Sequence, residues 1–168
     1  MTASMSPASR LVVAGCTIAA GVALYAWLRP SAAMFLPAGW HRPLAHGIPG
    51  WLLEPLPTFL HALALSLLTL AVIGTRRDAV IAAVCAAWCA IEIVFEVIQH
   101  AAVGAALISG LPAALTGTHA FAWLARFVRT GTFDPLDIAA AALGSLAAYA
   151  ILAHRKATRS DLAEADHG

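Results

Sequence analysis

Four apolar runs of membrane-crossing length decide what this chain can fold into. A hydrocarbon core about 30 Å thick needs about 20 apolar residues in a helix. The first run spans residues 11–28 and is stopped by Arg29 and Pro30. The second, residues 57–73, meets Gly74, Arg76 and Arg77. The third, residues 79–98, carries Glu92 and Glu96, and the fourth, residues 135–153, ends at His154, Arg155 and Lys156.

Composition agrees with a bilayer as solvent. Of 168 residues, 61% are hydrophobic and 11% charged, against roughly a quarter charged in soluble chains. The length suits one membrane unit, residues 1–168. The net charge of +1, with no basic patch interleaved with aromatics, gives no sign of a nucleic-acid partner. Cys16, Cys85 and Cys89 lie in apolar runs and read as small packing residues. The first run could be a secretory leader, with Ser31, Ala32 and Ala33 behind it. It is longer than the usual h-region of about 7–15 residues, and we read it as a retained helix.

Two stretches are not simple spans. Residues 29–56 hold Pro30, Pro37, Pro43, Pro49 and Pro55, with Trp40 and Trp51. Proline at that density prevents a regular helix, and tryptophan suits the headgroup level. An ordered cap over one mouth of the bundle is expected. Residues 101–130 are apolar but interrupted by Gly104, Gly110, Pro112, Gly117 and His119. Phe121, Leu124 and Val128 then recur at helical spacing, with Arg126 and Arg129 as polar anchors. A re-entrant turn followed by a short interfacial helix is expected, rather than a fifth span. The fold class is thus all-α: a polytopic membrane bundle of four transmembrane helices plus a re-entrant or interfacial segment.

Four spans put both termini on one side. That side holds Arg10, Arg76, Arg77, Arg155, Lys156 and Arg159; the other holds Arg29, Arg42, Arg126 and Arg129. The excess favours cytoplasmic termini, a cytoplasmic tail from residue 154, and a place in a bacterial inner membrane.

Charge inside a span costs roughly 2.5–3.5 kcal/mol on insertion scales, so Glu92 and Glu96 need a reason. Glu92, Glu96 and Gln99 share one helical face, which Trp88 extends by a turn. Asp134 and Asp137 share a face at the start of the fourth span, and Thr58 and His61 open the second. Four crossings bring all of these to the outer end, while the inner halves read as almost only Ala, Leu, Val and Ile. A polar pocket opening outward under the cap is expected. Simpler roles exist for single members: Asp134 can cap the fourth helix, with Pro135 in its first turn. Ala140, Gly144 and Ala148, with Ala141 and Ser145, would let that helix approach a neighbour closely. His100 and His119 read as interfacial.

Close carboxylates in low dielectric cannot both ionise easily, which makes a proton carrier or a general acid/base pair. An oxygen-ligand site for a divalent cation is the alternative, and no metal is assigned. The candidate catalytic residues are Glu92, Glu96, Asp134, Asp137 and His61. Gln99, Arg129, Thr58 and Trp88 are the candidate ligand contacts.

The segments LPTFLHALALSLLT, EIVFEVIQ and GTFDPLDIAAAALG together resemble the VanZ-like family of small bacterial membrane proteins. That family's helix-opening histidine corresponds to His61. Its Glu-x-x-Gln corresponds to Glu96 and Gln99, and its Asp-x-x-Asp and following glycine to Asp134, Asp137 and Gly144. The chain departs from the pattern at Pro57 and Thr58, where members have an acidic-basic pair, and at Ala141, where they have Asn. Arg129 is displaced from the usual basic position. The resemblance implies a cell-envelope protein of a family linked to glycopeptide antibiotic resistance, and a lipid-linked or cell-wall-related ligand. It leaves reaction, cofactor and oligomeric state open. A proton- or cation-coupled transporter and a non-enzymatic membrane scaffold are the other readings.

Overall fold

A computed structural model describes residues 6–28, 39, 53–75 and 77–165, and only the backbone of Tyr25, of Leu28 and of residues 154–165. Every regular element among the described residues is helical. Helix α1, Pro7–Ala23, starts with Pro7 in its first turn and the Ser6 hydroxyl accepting from the Ser9 backbone N–H at 3.1 Å. It runs on as a wider π-helical turn, Leu24–Leu28.

Helix α2, Leu56–Ile73, closes at Gly74, whose φ of 69° is the left-handed conformation that glycine takes without steric cost. Only residues 74–77 separate it from α3, Asp78–Gln99, so the two lie antiparallel. The chain then bends at His100, with φ −65° and ψ 124°.

Residues 101–130 form a helical hairpin. Helix α4, Ala101–Gly110, and helix α5, His119–Thr130, are joined through a short 3-10 turn, Ala113–Leu115. Gly104 and Gly110 do not interrupt the helix, which ends just before Pro112. A Cβ at Gly104 would run into the Val128 side chain, so glycine is what lets the two arms meet. The expected short helix appears as α5, with Thr118 as its cap: the Phe121 N–H donates to Thr118 Oγ1 at 3.2 Å.

Helix α6, Pro135–Ala165, is longer than its apolar run. Arg155 and Lys156 end the run but are good helix formers, so the helix continues through them.

Helix α2 is the centre of the bundle, packed by α1, α3 and α6, while α3 also packs on α6. Ala14, Leu67, Leu70, Ile81, Cys85 and Ala148 form the buried cluster where these helices meet. On α6, Ala140, Ala141, Gly144, Ser145 and Ala148 are all buried, as their spacing predicts. A Cβ on Gly144 would overlap the Phe59 carbonyl and lie 3.2 Å from the Ala62 Cβ, so α2 and α6 touch nearly backbone to backbone.

Helices α2 and α3, and residues 135–153 of α6, are long and apolar enough to cross a membrane; α1, at 17 residues, is shorter. Most of the proline-rich connection, with Trp40 and Trp51, lies outside the described residues. So do Arg29, Arg42, Arg76 and the side chains of Arg155, Lys156 and Arg159.

One charged residue has a structural role that the sequence reading missed. Arg10 is only 5% exposed, and its Nη1 donates to the Leu70 carbonyl at 3.0 Å and the Thr75 carbonyl at 3.1 Å. It clamps α1 onto the carbonyl end of α2, where the helix dipole favours a cation.

Candidate functional site

The hairpin decides whether the acidic residues meet, because it leaves and rejoins α3 at one place. A Cβ on Gly131 would strike the Gln99 side chain, and the His100 ring meets Phe133 edge-on at 5.5 Å. Helix α6 therefore begins beside the end of α3.

Glu96 is the joint. Its Oε1 accepts from the Asp134 backbone N–H. Its Oε2 accepts from Gln99 Nε2 at 3.4 Å, which also reaches the Phe95 carbonyl at 3.4 Å. The side chain is 5% exposed: Oε1 ties α3 to the start of α6, while Oε2 is held by Gln99 of α3 itself. Asp134 caps α6: its Oδ1 accepts from the Leu136 N–H at 2.9 Å.

Asp137, a turn further along α6, accepts from the Thr58 hydroxyl of α2 at 3.1 Å. Its carboxylate interacts electrostatically with Glu92 and Glu96 of α3. Three helices thus converge on one acidic group. Glu92 is the member with freedom: it makes no hydrogen bond with the described residues, yet faces Asp137 and Glu96.

Thr69 of α2 accepts from the Trp88 indole N–H at 2.9 Å. Two turns back along α2 from Thr69 is His61, and two turns on along α3 from Trp88 is Glu96. The antiparallel pairing therefore sets half-buried His61 at roughly the depth of Glu92 and Glu96. Trp88 itself is tied to α2.

Arg129 stands apart. It is exposed on α5 and bonds none of the four carboxylates. On the same helix Trp123 stacks on Phe127 at 5.5 Å, and Phe127 meets Phe95 of α3 edge-on at 5.8 Å. These aromatic contacts attach α5 to the bundle. His100 and His119 are both exposed.

Among the described residues no group of three or more His, Cys, Asp or Glu has an arrangement that could hold a metal ion. The carboxylates of Glu96, Asp134 and Asp137 each accept hydrogen bonds.

The fold and site define an all-α protein with membrane-capable helices and a carboxylate cluster at one end of its core. No protein-family model, curated protein or solved structure matches the chain.

Proposed function

We propose that this is a VanZ-like cell-envelope protein that crosses the bacterial inner membrane four times. In this reading α1 with its π turn, α2, α3 and α6 cross, both termini are cytoplasmic, and the acidic group faces outward beside the interfacial α5. The group binds a lipid-linked or cell-wall-related ligand. Carboxylates suit the hydroxyl and ammonium groups of such a ligand, while Arg129 suits its phosphate.

One observation carries the reading. The hairpin returns the chain to the end of α3, so that Glu92, Glu96, Asp134 and Asp137 share one end of the core with Thr58. Thermal unfolding in detergent tests it. A polyprenyl-pyrophosphate-linked disaccharide peptide should raise the melting temperature, whereas phosphatidylglycerol should not. Glu92→Gln should remove the effect. If the wild-type protein is unmoved by that lipid, the ligand assignment fails.

A second reading, a proton- or cation-coupled transporter, draws on polar residues deeper in the bundle: Ser66 and Ser145 are buried there. A pH-dependent proton flux into liposomes would favour it. A scaffold without a site would have its carboxylates paired with one another and with Arg129, and Arg129 bonds none of them.

A further inference from the structure

Below the acidic group the core holds a second polar layer that the apolar pattern of the spans conceals. Ser66 lies two turns along α2 from Thr58 on the same stripe, with Ala62 between. Ser145 lies two turns along α6 from Asp137, with Ala141 between. Cys85 lies two turns from Glu92 on α3, with Cys89 between. Each helix that contributes to the acidic group thus carries a small polar residue at one deeper level.

All three are buried: Ser66 at 0%, Ser145 at 5% and Cys85 at 4% exposure. Ser66 sits against the Cys85 thiol. Ser145 is one turn before Ala148, which belongs to the same buried cluster as Cys85 and Leu67. The Ser66 and Ser145 hydroxyls have no oxygen or nitrogen partner. That is unusual in a helix, where a serine hydroxyl can turn back to the carbonyl four residues earlier. An unsatisfied buried hydroxyl costs about 1–3 kcal/mol. Two in one layer cost more than replacement by alanine, a residue this chain already buries at Ala62 and Ala141 on the same stripes.

We infer that Ser66, Cys85 and Ser145 form an internal hydration site, where the two hydroxyls and the thiol hold water inside the bundle beneath the carboxylates. A buried water makes about three hydrogen bonds to otherwise unsatisfied groups, and this layer offers two such hydroxyls with a thiol beside one of them. The intervening Ala62 and Ala141 are each 0% exposed and carry only a methyl group. The site extends the polar interior two turns toward the Arg10 end and stands on the bundle interior alone, whichever ligand the acidic group takes.

The test uses the full chain with Cys16→Ser and Cys89→Ser, labelled in detergent with the small reagent methanethiosulfonate ethylammonium. A thiol reacts as thiolate, which a dry apolar core suppresses. Cys85 should be labelled in the folded protein. Ser66→Ala with Ser145→Ala should slow that labelling about tenfold, with the melting temperature unchanged or lowered. Three results would overturn the inference: a Cys85 that reacts only after unfolding, labelling that ignores the serine changes, or a double alanine variant that melts several degrees higher. The last is the signature of hydroxyls relieved from a dry core.

Discussion

The carboxylate of Glu96 holds the backbone N–H of Asp134, the residue that caps α6. One side chain of α3 thereby fixes where another helix begins. Glu96→Ala leaves that N–H unpaired and removes a charge-assisted bond, a loss of about 1.5–3 kcal/mol. Its melting temperature should fall by several degrees, and Glu96→Gln, which keeps an acceptor oxygen, should fall less. Equal melting of the two variants would mean that the bond contributes nothing.

Glu92 should behave in the opposite way. It forms no hydrogen bond with the described residues and faces two other carboxylates. Glu92→Gln removes like-charge repulsion, so stability should hold or rise while ligand binding is lost. A strongly destabilised Glu92→Gln protein would contradict this division of labour.

Gly144 allows α2 and α6 to touch, and a methyl group there overlaps the Phe59 carbonyl. Gly144→Ala should therefore cost about 1–3 kcal/mol through overpacking. Gly15 has nothing within 4 Å of an added Cβ, and Gly15→Ala should be neutral or stabilising by up to about 1 kcal/mol. Melting curves of the pair measure the difference.

Arg10 bonds two carbonyls at the end of α2 while nearly wholly buried. Arg10→Met keeps the stem and loses the guanidinium. The variant should lose about 1.5–3 kcal/mol for the charged bonds and release α1 from α2, which raises the protease sensitivity of the amino-terminal helix. Unchanged proteolysis would show that apolar packing alone holds α1.

The return of the chain can be trapped covalently. Gln99→Cys with Gly131→Cys, in a background without Cys16, Cys85 and Cys89, should form a disulfide under mild oxidation, because position 131 lies against the Gln99 side chain. A chain in which residues 101–130 crossed the membrane would keep these positions a bilayer apart and leave both thiols reduced and separate.

The α2, α3 and α6 spans were legible because long apolar runs write them directly, with Glu92 and Glu96 the only charges inside them apart from Asp137 in the first turn of α6. The small stripe on α6 was legible for a similar reason, since Ala140, Gly144 and Ala148 repeat at helical spacing. The shape of residues 101–130 was not, because Gly104 reads as a helix breaker unless its contact with Val128 is known. Arg10 was counted only as a topology signal; its pairing with Leu70 and Thr75 spans some sixty residues and has no local pattern. In the site, the shared faces of Glu92, Glu96, Gln99 and of Asp134, Asp137 were visible, and so was the capping role of Asp134. That Glu96 is a structural joint was not. Ser66 and Ser145 could have been found, since each lies eight residues after a polar residue already singled out on its own helix, Thr58 and Asp137.

The α4–α5 hairpin has a further consequence. Its two ends are pinned at Gln99 and Gly131, so its length is decoupled from the direction in which α6 sets off. Residues 111–118 at its tip can be lengthened, shortened or replaced without inverting anything downstream. Such a segment is where an added epitope or fluorescent reporter would leave the direction of α6 unchanged.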